Sequence, residues 1–149
     1  MREFIGFGGV VLTADVYGNE EHPCVVLLPG LTQTRKVWES AAKALAQAGR
    51  YVISLDLRGH GRSDSPKDCN YSLEAFMGDL VAVLSQLESR PVLVGSNFGG
   101  WIGLAALGNT AAPIATGLVL TNPPPEFKSL NNKSIAKTVS ERASTEDFD

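Results

Sequence analysis

Three runs of apolar residues constrain the fold of this chain most strongly, because each leads into a loop of glycine or polar residues. The runs are "VVLLPG" from Val25, "YVISLDL" from Tyr51 and "PVLVG" from Pro91. A short continuous apolar run is typical of a strand buried on both faces. Apolar residues at helical spacing lie between the runs, over 35–48 and 73–87. This alternation predicts an α/β fold: a mostly parallel sheet with helices on both faces.

The flanking segments add further strands and one more helix to this prediction. Residues 3–17 alternate weakly around Gly8 and Gly9, which predicts an antiparallel first hairpin. Residues 98–107 form a helix that is apolar on almost every side, and 114–122 predict another strand. Ser72 and Gly49 are placed to begin and end helices. We therefore expect about six strands, with those near 25–28, 51–55, 92–94 and 117–121 parallel and the one at 92–94 central.

Charge and cysteine content narrow the classes of partner. The 149 residues carry a formal net charge of −3 without a block of Lys or Arg, so we expect no nucleic-acid partner. Residues 91–125 lack charge, but glycines, asparagines and Pro113 interrupt them, so we expect no membrane span. The two cysteines, Cys24 and Cys69, are too few for a disulfide scaffold, and no signal peptide is visible. This predicts free thiols and a cytoplasmic protein.

Glycine spacing and possible ligand residues do not predict a cofactor. Gly95, Gly99 and Gly103 are spaced as in dehydrogenase turns, but a dinucleotide-binding sequence belongs in the first βα unit. The chain has no P-loop sequence, and its His, Cys and acidic residues lack metal-ligand spacing. We therefore expect neither a cofactor nor a metal.

The character of the chain changes after the three prolines at 123–125. Residues 126–149 are polar and charged, with only scattered large apolar residues. We interpret residues 1–125 as the folded core and 126–149 as a polar tail, the start of a cap or lid region.

Three segments together resemble the α/β-hydrolase superfamily, in its epoxide-hydrolase, haloperoxidase and lactonase-like branch. They are "VVLLPGLTQT", "SLDLRGHGRSD" and "VLVGSNFGG", in this order on the predicted strands. The resemblance covers about residues 1–125, the first half of the usual fold, and implies the strand order 1-2-4-3-5-6. It also implies a tight strand-to-helix turn that carries the nucleophile.

Asn97 occupies the nucleophile position of that turn, framed by Gly95, Gly99 and Gly100. Asn tolerates the positive φ that the turn requires, but a carboxamide cannot be activated as a nucleophile. Ser96 lies one place early, so its side chain is expected to point away from the site.

The resemblance assigns roles to residues outside the turn as well. It implies an oxyanion hole formed by the backbone N–H groups of Leu31 and Phe98. A second set of residues is expected to organise the loop after the strand at 51–55: Asp56, Arg58, Gly59, His60 and Gly61. The chain's two histidines, His22 and His60, precede Asn97, and the acidic residues after it lie in the polar tail. The acid and histidine of a triad are therefore missing downstream.

These features lead to two functional hypotheses. The resemblance implies a hydrolase of small esters, lactones or related substrates, and Asn97 predicts that the chain as it stands is inactive. This hypothesis includes an enzyme completed by residues beyond Asp149 or by a second polypeptide. The alternative is a non-enzymatic module that binds a small molecule or a protein on the same scaffold. Val119 and Leu120 lie in a predicted edge strand, which predicts self-association through an uncovered sheet edge.

Overall fold

Six strands form one sheet in the computed structural model, which describes residues 1–122. The predictions for the tail at 126–149 and for the end of the core at 125 lie outside the described residues. The strands are β1 (Arg2–Ile5), β2 (Val11–Tyr17), β3 (Cys24–Leu28), β4 (Tyr51–Leu55), β5 (Val92–Ser96) and β6 (Gly117–Thr121).

The spatial order of the strands is β1-β2-β4-β3-β5-β6, as predicted. The first hairpin is antiparallel, β2 pairs antiparallel with β4, and the pairs from β4 through β6 are parallel. The prediction that the strand at 92–94 is central was wrong for the described sheet. Because β3 and β4 occupy the middle, β5 lies next to the edge strand β6.

Within residues 1–122, three α-helices cover the two faces of the sheet: α1 (Glu39–Gln47), α2 (Leu73–Ser85) and α3 (Phe98–Asn109). Neighbouring residues of a strand point to opposite faces, so β3 contributes to two cores. Val25 and Leu27 pack with Ala42 of α1 on one face. Val26 and Leu28 pack with residues of α2 and α3 on the other. Burial on both faces explains why β3 is continuously apolar.

Local signals fix several helix ends. The hydroxyl of Ser72 accepts a hydrogen bond from the N–H of Ala75, so the predicted cap of α2 is present. Gly49 follows α1 with φ 80°, a left-handed conformation that favours glycine. The predicted helix over 35–48 instead begins with a 3-10 turn (Arg35–Trp38), and α1 starts at Glu39.

Cys24 and Cys69 are both free thiols, as predicted. Burial raises the pKa of the Cys24 thiol to about 11, so it is protonated at neutral pH. Within residues 1–122, none of the helices combines the length and the apolar character that crossing a bilayer requires.

Candidate functional site

Asn97 forms the tip of the turn between β5 and α3. Its backbone has φ 48° and ψ −115°, so the positive φ expected there is present. Asn is one of the few non-glycine residues that adopt this region at modest cost. Its N–H donates to the carbonyl of Thr121 at 3.0 Å, and its carbonyl accepts from the N–H of Trp101 at 3.2 Å. The turn therefore holds Asn97 through backbone contacts on both sides, with the residue exposed.

Glycines allow the backbone to pack closely around this turn. A Cβ on Gly95 would overlap the backbone of Gly100. A Cβ on Gly99 would lie 2.5 Å from the carbonyl oxygens of both Leu28 and Pro29. The start of α3 thus rests directly on the end of β3, and only glycine fits at that contact.

Ser96 belongs to the strand rather than to the tip. It pairs with Thr121 in the parallel β5–β6 ladder and is half-buried. A residue in a strand points to one face of the sheet, whereas the residue at the following tip stands above the edge. This placement agrees with the expectation that Ser96 points away from the site.

Two backbone N–H groups near the turn are occupied by side-chain amides. The N–H of Phe98 donates to Asn97 Oδ1 at 2.8 Å. The N–H of Gly30 donates to Gln33 Oε1 at 2.9 Å. The oxyanion hole of Leu31 and Phe98 stays a prediction, and its Phe98 donor is engaged by Asn97. Sequence reasoning missed Gln33. Its position three residues after Gly30, where the N–H of Gln33 closes a turn onto the Gly30 carbonyl, was the available signal.

The loop that follows β4 is organised around the carboxylate of Asp56, which is completely buried. It accepts from the N–H of Arg35 at 2.7 Å, from Arg35 Nη1 at 2.5 Å and from the N–H of Arg62 at 3.0 Å. Gly61 has φ 51°, and a Cβ there would overlap Asp56 Oδ2. Gly59 has φ 70° and donates its N–H to the Asp64 carbonyl at 2.9 Å. The loop residues therefore form a tight turn closed by hydrogen bonds.

His60 joins this loop to the loop after β3. Its Nδ1 lies 2.9 Å from the Arg58 carbonyl oxygen, and its Nε2 is hydrogen-bonded to the Leu31 carbonyl. The ring is buried. Both ring nitrogens thus face backbone carbonyl oxygens, and the ring is held between the two loops. The imidazole therefore positions Leu31 relative to the loop.

The buried guanidinium of Arg58 is held by a carboxylate that sequence reasoning missed. Arg58 Nε and Nη2 donate to the two carboxylate oxygens of Asp79 at 2.6 and 2.7 Å. Nη1 donates to the Asn70 carbonyl at 2.7 Å and Nη2 to the Phe7 carbonyl at 3.1 Å. Burial raises the pKa of Asp79 above its usual value, although hydrogen bonds and charge from Arg58 act against the rise. The loop is thereby tied to α2.

Comparison with known proteins identifies the family of this chain. The sequence profile of the family described as alpha/beta hydrolase fold matches residues 23–149. The chain belongs to this family. It is 42% identical to the sn-1-specific diacylglycerol lipase ABHD11 of Mus musculus over 85 residues, which are 56% of this chain and 27% of the lipase.

Two further relatives show the breadth of the alpha/beta hydrolase family around this chain. The chain is 38% identical to bifunctional epoxide hydrolase 2 of Sus scrofa over 80 residues, 52% of this chain and 14% of that protein. The thioesterase domain from the curacin biosynthetic pathway superposes with a TM-score of 0.77 and 27% identity, covering 99% of this chain and 55% of that domain. The chain is thus related to esterases, epoxide hydrolases and lipases, and it spans about half of their length or less.

Arg35 also forms an ion pair with the half-buried Asp15, which anchors the loop after β3 of the hydrolase-fold chain. Arg35, which also contacts Asp56, places Nε 3.1 Å from Asp15 Oδ2, and Lys36 Nζ lies 2.9 Å from the same oxygen. Burial acts to raise the pKa of Asp15, but the hydrogen bonds and charges of Lys36 and Arg35 outweigh it and lower the pKa. Sequence reasoning missed both Asp15 and Arg35.

A cavity of about 390 Å³ lies at the hairpin turn between β1 and β2, and not at Asn97. Its lining includes Gly8, Gly9, Arg58, Asp64 and Lys67. In the described part of the chain, His, Cys, Asp and Glu side chains form no group of three that could hold a metal ion.

Proposed function

We propose that this hydrolase-fold chain binds a small carbonyl-bearing molecule, such as an ester, a lactone or an acid, and does not hydrolyse it. The observation that carries the proposal is the state of Asn97. The residue stands at the tip of the strand-to-helix turn, and its side-chain oxygen is engaged by the N–H of Phe98 at 2.8 Å.

The chemistry of acyl transfer requires a group at this tip that can attack a carbonyl carbon. A carboxamide has no hydroxyl, thiol or carboxylate that a base can activate. In addition, the N–H of Phe98 already donates to Asn97 Oδ1, so it is not open to a developing oxyanion. One such donor is worth about 3 kcal/mol of barrier lowering in enzymes that use it. Asn97 thus opposes both the nucleophilic attack and the stabilisation of the oxyanion.

The available histidines also argue against hydrolysis. His22 is exposed and precedes β3, and the ring nitrogens of His60 face the carbonyl oxygens of Arg58 and Leu31. A general base must reach the proton that it removes through a free ring nitrogen. Neither histidine has the surroundings of a base that serves Asn97.

The second candidate function is an ester hydrolase that is completed by groups outside these 149 residues. The limited share of the relatives that the chain spans favours this candidate. Additional residues could supply an acid and a histidine. They would not replace the side chain at the tip of β5, because that position lies within this chain. We therefore prefer the binding function.

Hydrolysis of p-nitrophenyl acetate tests the proposal. We expect the chain, Asn97→Ala and the control variant Ser96→Ala to release p-nitrophenol at the background rate. Asn97→Ser should add at most weak activity, because a serine without a base is a poor nucleophile. Triad members act as a unit, so one restored alcohol does not restore the rate.

Turnover by the unchanged protein is the outcome that would contradict this proposal. If hydrolysis exceeds background and disappears in Asn97→Ala, the residue takes part in the chemistry. A mass increase at Asn97 that accompanies the activity would identify deamidation to aspartate as the source. If Asn97→Ser alone raises the rate by orders of magnitude, a base already lies within this chain, and the argument from the two histidines is wrong.

A further inference from the structure

The two side-chain amides at the site have orientations fixed by hydrogen-bond chemistry. A backbone N–H can only donate, so the atom that receives it must be the amide oxygen. Asn97 Oδ1 receives the N–H of Phe98 at 2.8 Å, and Gln33 Oε1 receives the N–H of Gly30 at 2.9 Å. Each amide therefore has its oxygen against the backbone and its NH₂ group directed away from that contact.

The two amides flank one point of the backbone. A Cβ on Gly30 would lie 2.9 Å from Gln33 Oε1 and 3.6 Å from Asn97 Cβ. Asn97 is exposed and Gln33 is half-buried. Within residues 1–122, neither NH₂ group donates a hydrogen bond to another protein group. The loop after β3 and the tip of β5 thus bring the side chains of Gln33 and Asn97 to the same glycine, each with an unused NH₂ group.

A site with this composition favours a ligand that accepts hydrogen bonds at two atoms. In each amide the oxygen already accepts a backbone N–H, so the NH₂ group is the part that can donate to a ligand. The carboxylate of Asp56 in the neighbouring loop is completely buried and paired with Arg35, so it does not repel an anion as an exposed acid would. Hydrogen bonds to a carboxylate are stronger than those to a neutral carbonyl.

We propose that the NH₂ groups of Asn97 and Gln33 form a donor pair that binds the carboxylate of a small organic acid, one amide to each oxygen. The inference rests on the proposed binding function and names its ligand class. The inference predicts that the carboxylate of a substrate-like molecule binds more tightly than the corresponding neutral amide or ester. Glycine at position 30 leaves room for both side chains.

Sodium butyrate, with butyramide as its neutral counterpart, tests the donor pair. The side-chain NH₂ signals of Asn97 and Gln33 are followed by NMR during titration of the ¹⁵N-labelled protein. We expect butyrate to shift both signals with one shared Kd and butyramide to bind at least about tenfold more weakly. Gln33→Glu and Asn97→Asp keep the oxygen that accepts the backbone N–H but remove the donor. Each should weaken butyrate binding by at least about tenfold.

Asn19→Asp is the matched control. Asn19 is exposed, and its Oδ1 also accepts a backbone N–H, that of Glu21 at 3.1 Å, so the same charge is added in the same local chemistry. It should change the Kd by less than about twofold, because a distant exposed charge is screened. Equal binding of butyrate and butyramide, unchanged affinity in Gln33→Glu and Asn97→Asp, or no shift of either signal would overturn the donor pair. Ester hydrolysis measured on the same samples reports separately on the proposed function.

Discussion

Removal of the Arg58 guanidinium is expected to cost a large part of the stability of this fold. We take Arg58→Met as the perturbation, since methionine retains much of the side-chain length without the charge. The change removes four hydrogen bonds: two to Asp79, one to the Asn70 carbonyl and one to the Phe7 carbonyl. Asp79 keeps the N–H of Phe7 at 2.8 Å as its remaining donor. A buried carboxylate is left without a positive partner.

The magnitude follows from that uncompensated charge. Breaking a buried ion pair by removing one partner costs about 3–5 kcal/mol. A domain is stable by about 5–15 kcal/mol, so the loss is a third or more of the total in most of that range. Replacing both partners, as in Arg58→Met with Asp79→Leu, removes the stranded charge and should recover most of the loss. The coupling in this double-mutant cycle is therefore expected to be large and favourable.

The loss also has a predicted pH dependence. Burial already raises the pKa of Asp79 above its unfolded value of 3.8, and removal of Arg58 takes away the charge that opposes the rise. A raised pKa in the folded state means that the folded protein binds the proton more tightly. The cost of Arg58→Met is therefore full above the folded-state pKa of Asp79 in the variant, and it shrinks as the pH falls from there to the lower folded-state pKa in the unchanged protein. Taking the difference from the unchanged protein at each pH cancels the other acids, Asp15 among them.

Urea unfolding followed by the fluorescence of Trp38 and Trp101 measures this prediction. Lys43→Met is the control, because Lys43 pairs with Glu39 at 2.6 Å on the exposed surface of α1 and its loss should be barely measurable. A cost below about 1 kcal/mol for Arg58→Met at neutral pH would refute the reasoning. A cost that grows at acidic pH would refute the assigned direction of the Asp79 pKa.

Two further predictions concern α3 and the edge of the sheet. Gly99→Ala should destabilise the fold by about 1–3 kcal/mol in urea unfolding, since its Cβ meets backbone carbonyls at 2.5 Å. A Cβ at Gly108 in the same helix would lie in open space, so Gly108→Ala should stabilise the helix. If the two substitutions change the free energy of unfolding equally, packing is not the cause. Val119 is 48% exposed on β6 and Leu120 is 37% exposed, so sedimentation should show self-association that Val119→Lys weakens. The control Leu104→Lys on α3 should not alter the self-association. If the protein without substitutions sediments as a monomer, this prediction is wrong.

The strands could be predicted from the sequence because burial on both faces leaves a strong pattern. The runs at β3, β4 and β5 are mostly apolar, with Ser54 and Ser96 as their polar members, so their position and parallel pairing followed from composition and order. The central position of β5 could not be predicted correctly. It depends on how many strands follow β5, and that number is not a local property of the sequence.

The polar contacts of the site could be predicted only in part. Asn97 was found because its turn resembles the strand-to-helix turn of the α/β-hydrolase superfamily, and the structure gives it the positive φ that this resemblance implies. Asp79 was missed, although it lies three residues after Phe76 and four before Val83, on the apolar face of α2. A carboxylate at such a position requires a buried partner. The partner, Arg58, is 21 residues away in sequence, and only the tertiary fold brings the two together.

At the turn around Asn97, the contacts that maintain the fold use backbone atoms, whereas the chemistry depends on the side chain. The contacts that place the turn use backbone atoms: the N–H of Asn97 on Thr121, the N–H of Trp101 on Asn97, and Gly99 against Leu28 and Pro29. None of them depends on the side chain at position 97, apart from its tolerance of positive φ. The side chain adds one hydrogen bond, to the N–H of Phe98, and directs its NH₂ group outward. Because the scaffold is fixed by the backbone, the side chain at position 97 can differ while the hydrolase fold around it is retained.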